Sequence, residues 1–257
     1  MLRRDSQGDW LLISQVDHAH LAAEIAVVWE HGSLASLPLR EEFLAAVRHH
    51  DDGWREWEAS PQIDPHTARP RNFTEMPLED SAAIWSRSIE SGLQQGGPFA
   101  AIWISRHFRW LGERSLESPR ETGESRAMSE FLATQQSLEV DWLLAAGELV
   151  PEESVAELAH TGFRWLQFFD LVSLWLCTAE RTRPETLTDP DGVPVTFTPE
   201  NAQQITLDPY PLAVPQLALS VPARRIASRP YANDADLQET LQSASGETLC
   251  WALGASF

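Results

Sequence analysis

Asp170 lies in the middle of FRWLQFFDLVSLWLC, a strongly apolar run. At helical spacing, Phe163, Leu166, Asp170, Ser173 and Cys177 share one face. An unpaired carboxylate buried on such a face costs about several kcal/mol, or is forced to hold its proton. The chain must therefore fold so that other helices bring partners to Asp170. Two kinds of partner fit: a buried arginine such as Arg87, Arg106 or Arg164, or a metal ion held together with other ligands.

Four more polar residues fall on apolar helical stripes. His18 groups with Leu21, Ile25 and Val28. In FLAAVRHHDDGW, Phe43 and Val47 lead to His50, and Leu44 and Val47 lead to Asp51. His107 aligns with Ala100 and Trp103. Taken singly, each histidine is more often a satisfied core or cap residue than a ligand, and an adjacent His-Asp pair arises by chance. Taken together, His18, His50, Asp51 and Asp170 face inward from separate helices and read as a metal centre. Imidazole and carboxylate donors without thiolate suit Mn, Fe, Co, Ni, Zn or Mg. One or two such divalent ions would leave room for water and substrate. A bound ion lowers the pKa of water and polarises a phosphoryl or carbonyl oxygen. Asp51 or Asp170 is then expected to orient the water, and His107 to hold a second ion or donate a proton. His49 is rotated away from the stripe and orients a neighbour or meets solvent. Asp52 reads either as a second carboxylate that orients a ligand histidine or as a helix-end cap.

The charge balance narrows the partners. The 257 residues carry 38 acidic side chains against 19 arginines, with no lysine, for a net charge of −19. Nucleic acid and anionic membranes need a positive surface, so neither is an expected partner. A phosphate group would have to meet arginine or metal. Arg55 and Arg69 are the substrate-binding candidates because their loop follows the His-Asp pair; Arg71, Arg106 and Arg109 are others. Trp54 and Trp57, in the same loop, read as stacking surfaces for a base or sugar, or as packing. Cys177 and Cys250 give neither a disulfide framework nor a zinc motif. The opening MLRRDSQGDWLLISQ has no sustained apolar segment, so no signal peptide or membrane span is expected, and a cytoplasmic location follows.

Periodicity and breakers predict six helices. They run from about Asp17 to Glu30, Leu39 to Asp51, Pro77 to Gly92, Pro98 to Leu111, Ala127 to Ala146, and Pro151 to Thr178. Residues 9–15 read as a short strand or a lead into the first helix. Residues 54–76 read as a long ordered loop, and ERSLESPRETGES (113–125) as a surface connection. After residue 182 the chain becomes Pro-rich with short alternating stretches, ending in TLCWALGASF. A small antiparallel sheet with the lone helix NDADLQETLQSA is expected there. The predicted fold is thus mostly α: a helical metal-binding bundle over 1–182 and a small α+β extension over 183–257 packed on it.

The order of an early His18, the dipeptide His50-Asp51 followed by Gly53, and a late Asp170 resembles the HD superfamily of metal-dependent phosphohydrolases. More closely, QVDHAHLAAEIAVVW, HHDDGWREWE, DPHTARPRNFTEMPL and LQFFDLVSLWLC resemble an uncharacterised bacterial family, the domain of unknown function 3891 (DUF3891), over nearly the whole chain. The first resemblance implies an HD-like bundle and metal-dependent hydrolysis of a small phosphorylated metabolite or nucleotide. It also shows departures. Dinuclear members carry two further histidines, for which only His107 is well placed, and the lysine common after the dipeptide is replaced by Trp54. A di-iron oxygenase on the same scaffold needs more ligands than are evident. A non-catalytic binding or scaffold domain that keeps a metal site, or a homodimer formed through the C-terminal region, are further readings.

Overall fold

The computed structural model describes residues 1–117 and 122–256. Two strands open the chain, β1 (Leu2–Ser6) and β2 (Asp9–Ile13). They form an antiparallel hairpin over Gln7-Gly8, both with positive φ, as a two-residue hairpin turn of matching twist requires. Helices α1 (Gln15–Val28), α2 (Arg40–His49), the short α3 (Arg55–Ala59), α4 (Leu78–Leu116), α5 (Thr122–Ala146) and α6 (Glu152–Thr178) follow. The C-terminal part contributes β3 (Glu185–Thr188), β4 (Pro194–Pro199), β5 (Gln204–Asp208), β6 (Gln216–Ala227), α7 (Asp234–Ser243) and β7 (Gly246–Gly254).

All seven strands join one mixed sheet, in the order β1-β2-β6-β7-β5-β4-β3. Every pairing is antiparallel except β5 with β7. This overturns the expectation of a mostly α, HD-like bundle with a small β-rich appendage: the fold is α/β, and the sheet is a full layer of it. The N-terminal hairpin is what changes the architecture. Its strand β2 pairs with β6, placing Trp10 opposite Ile226. No local pattern announces a pairing between segments more than 200 residues apart. The boundary expected near residue 182 falls between α6 and β3, and the sheet draws strands from both sides of it.

Strand β2 shows why the sheet is a layer. Leu11 and Ile13 bury into the main core with α1, α2, α4 and α6, while Trp10 and Leu12 enter a second cluster with Ile226, Tyr231, Leu237 and Leu241. Alternate side chains point to opposite faces, so a strand apolar on both faces must be covered twice. Helices α1 and α6 pack on one face, against β6 and β1. Helix α7 covers the other; its N-cap Asn233 accepts from the Asp236 N–H.

Most helix bounds follow the sequence reading. Ser14 caps α1 by accepting from the Asp17 N–H, and Pro151 precedes α6. The two helices expected on either side of Gly97 are the two halves of α4, separated by a kink where Gly97 adopts the non-helical φ 70° and ψ −163° before Pro98. That left-handed geometry suits glycine, and the proline then restarts the helix. The connection expected at 113–125 lies partly outside the described residues, and its two ends belong to α4 and α5.

Candidate metal centre

Helix ends and helix middles converge inside the helical layer. His18 comes from the first turns of α1, His50 caps the C-terminus of α2, and Asp51 follows it. Asp170 comes from the middle of α6 and His107 from α4. His18, His50 and Asp51 are 0%, 1% and 5% exposed, and His107 is buried. The Asp170 side chain is 15% exposed, which makes it the member nearest to solvent.

One atom from each of His18, His50 and Asp51 lies within 4.8 Å of the others, and such a group can hold a metal ion. His18 Nε2 is 2.8 Å from Asp51 Oδ2. His50 Nε2 is 3.5 Å from Asp51 Oδ2 and 3.4 Å from Asp170 Oδ1. His18 Nε2 is 3.7 Å from that same Asp170 oxygen. The other Asp170 oxygen, Oδ2, faces His107 Nε2 at 3.8 Å. The His18 and His50 rings stand perpendicular, with centroids 5.4 Å apart.

The second nitrogen of each ring also has a partner. His50 Nδ1 lies 2.7 Å from the Val47 carbonyl, which can only accept, so Nδ1 carries a proton. The Ser173 hydroxyl lies 2.9 Å from the Asp170 carbonyl and 2.8 Å from His18 Nδ1; with its proton on the carbonyl it accepts from an Nδ1–H, and in the other tautomer it donates to the ring. Neutral His50 therefore turns an Nε2 lone pair toward the carboxylates, whereas His18 Nε2 is at hydrogen-bond distance from Asp51 Oδ2 and can donate to it. Lone pairs and carboxylates repel unless a proton or a cation lies between them. Buried His50 Nε2 has no hydrogen-bond partner. This donor set can hold a cation.

The titration behaviour agrees. Burial alone would depress His50, but the carboxylates of Asp51 and Asp170 and the Val47 carbonyl raise it to about 9. Burial would raise Asp170, yet His50 and the other two imidazoles hold it down to about 2. Burial dominates at His107 and lowers it to about 4, so its ring is neutral at pH 7. The two carboxylates thus act as a sink for positive charge.

The remaining expected site residues lie outside this cluster. Asp52 accepts from His49 Nδ1 at 2.8 Å, Arg55 Nη2 at 2.6 Å and Ser91 Oγ at 2.8 Å, which ties the end of α2 to α4. Arg55 is 57% exposed. Arg69 sits over the Trp10 ring, 6.0 Å from its centroid. Trp54 is buried with Val16, Met76 and Ile84, and Trp57 packs edge-on against it. Arg106 and Arg109 both grip Glu139, and Arg87 donates to the Gly53 carbonyl. Among the described residues, no arginine forms an ion pair with Asp51 or Asp170. The sequence reading placed Ser173 on the Asp170 stripe without a role; its i+3 spacing from Asp170 was the available signal.

A buried His-His-Asp group at the junction of four helices, laid on a mixed sheet, defines an α/β protein with a candidate metal centre. The chain belongs to the family described as Protein of unknown function (DUF3891), whose model matches residues 1–228. No curated protein and no solved structure matches the chain. Among the described residues, no helix is long and apolar enough to cross a membrane.

Proposed function

We propose that this protein is a metal-dependent hydrolase with a mononuclear divalent centre held by His18, His50, Asp51 and Asp170. The observation that carries the reading is the pair of Nε2 atoms aimed at two carboxylates inside a buried cluster. A divalent ion bound there would acidify water and polarise an oxygen of the substrate. His18 and His50 bind through nitrogen, and Asp51 supplies negative charge from the closed side. Asp170, the most exposed of the four, orients water and marks the side on which substrate arrives. His107, neutral and beside Asp170 Oδ2, can accept a proton there.

The substrate class we assign is a small phosphorylated metabolite or nucleotide. Its support is the order of donors along the chain, which is similar to that of HD phosphohydrolases; the HD bundle itself is not this fold. Arg55 is the first arginine after the ligand pair, and its guanidinium is engaged by Asp52. Charge neutralisation of the phosphate therefore falls mainly to the metal.

The enclosure of His18, His50 and Asp51 favours one second reading, a non-catalytic binding domain with a structural metal. Elemental mass analysis of protein purified without an affinity metal, compared with Asp170→Ala, tests both. One equivalent, lost in the variant, supports the centre. A panel of phosphomonoesters, phosphodiesters and nucleotides then separates the readings: turnover abolished by Asp170→Ala supports the hydrolase, and metal without turnover supports the structural site. No metal after reconstitution with Mn, Fe, Ni or Zn overturns both.

A further inference from the structure

We propose that Ser173 is a positioning residue that selects the nitrogen His18 presents to the metal centre, an inference that rests on the centre proposed above. The two histidines are oriented by different means. His50 finds its acceptor three residues back in its own helix, at the Val47 carbonyl, so no side chain is needed. His18 has no such carbonyl; its Nδ1 is met by a hydroxyl 155 positions away. Ser173 is fully buried on α6, one turn beyond Asp170. Its hydroxyl lies between the Asp170 carbonyl, to which it can donate at 2.9 Å, and His18 Nδ1. With Nε2 turned to an ion the ring proton would sit on Nδ1, and the serine would accept from that N–H while donating to the carbonyl. A ring turned by 180° about its long axis would lose this partner and move the coordinating nitrogen away from Asp51 Oδ2.

The same hydroxyl links two ligands from opposite ends of the chain. With the ion bound, the relay would run from His18 Nδ1–H to Ser173 Oγ, and from Ser173 Oγ–H to the backbone of Asp170. Fixing the ring against α6 sets the spacing between His18 Nε2 and the Asp170 carboxylate. Such outer partners commonly govern metal affinity by about 10–100-fold.

The test compares wild type, Ser173→Ala and Ser173→Thr by Zn2+ affinity, measured in chelator competition, and by nitrogen-15 NMR of the His18 Nδ1–H. Ser173→Ala is expected to weaken Zn2+ about 10–100-fold and to abolish the exchange-protected Nδ1–H resonance, while Ser173→Thr restores both. Wild-type affinity with a protected resonance in Ser173→Ala overturns the proposal. If Ser173→Ala or Ser173→Thr fails to fold, Ser173→Cys keeps the volume with a weaker acceptor and reads the same two quantities. Should the wild type bind no Zn2+, the proposed centre fails on its own. The nitrogen-15 shifts of the His18 ring in chelator-treated protein, altered by Ser173→Ala if the serine positions the ring and unaltered if it does not, still decide the role of Ser173.

Discussion

His18 Nε2 stands 2.8 Å from Asp51 Oδ2, across 33 positions of the chain and in a cluster almost closed to solvent. At that distance an Nε2–H of His18 donates to the carboxylate, and a bound cation would take the place of that proton. That exchange underlies the expectations about the site.

Removing a direct donor should cost more affinity than removing an outer one. His18→Ala, His50→Ala and Asp51→Ala are each expected to weaken metal binding by about 100-fold or more, beyond the usual outer-shell effect. His107→Ala should leave the stoichiometry at one, because His107 Nε2 faces the other Asp170 oxygen, 3.8 Å from Oδ2, rather than Oδ1, which approaches His18 and His50. Elemental analysis after dialysis checks this. A stoichiometry that falls from two to one in His107→Ala would instead establish a dinuclear centre.

Without metal, the cluster should impose an optimum of stability near pH 6.5. His50 is raised from 6.5 to about 9 in the folded protein. Its contribution is full below pH 6.5 and is lost as pH rises through 9. His107 is lowered from 6.5 to about 4, so its contribution is full above pH 6.5 and is lost as pH falls toward 4. Asp170 is lowered from 3.8 to about 2, and its contribution disappears as pH falls through 2. The Tm of chelator-treated protein, followed from pH 4 to 9, should show both limbs. His50→Gln should flatten the alkaline limb, and an unchanged limb would refute the assignment. Saturating metal should remove the alkaline loss, because the ion replaces the proton.

Gly53 allows the chain beyond Asp51 to press against α4. A Cβ there would lie 2.0 Å from the Ile84 carbonyl oxygen and 2.7 Å from the Ser88 nitrogen, both backbone atoms that cannot swing aside. Gly53→Ala is expected to destabilise the fold by about 1–3 kcal/mol through overpacking. It should also weaken metal binding, because His50 and Asp51 immediately precede the displaced residue. Denaturant titration and chelator competition measure the two effects. Unchanged stability would show that α2 and α4 have slack.

Arg55→Ala should do little to the structure. The side chain is exposed, and its pair with Asp52 leaves Asp52 two other donors, His49 and Ser91. Stability is expected to change by no more than about 0.5 kcal/mol, with metal content unaltered. A rise in KM for a phosphorylated substrate, with kcat retained, would be the signature of a substrate contact. Loss of metal would show that the Asp52 network also supports the ligands.

Much of the centre was legible in sequence because helical phasing is local. His18, Asp170 and Ser173 each sit in an apolar stripe, and a polar residue in such a stripe must meet a partner. The spacing of those stripes also located α1, α2, α5 and α6 to within a few residues. Periodicity determines which face of a helix turns inward, and the amino-acid sequence therefore carried that much unaided. It could not determine which partners arrive. The meeting of His18 with Ser173 across 155 positions, and the commitment of Arg106 and Arg109 to Glu139 rather than to a substrate, depend on how helices pack. The sheet was hidden for the same reason. Strand pairing is non-local, so the apolar DWLLI segment reveals that it is buried on both faces without revealing that its neighbour is β6. Only the tertiary structure decided that the two ends of the chain share one sheet, which made the fold α/β rather than a bundle.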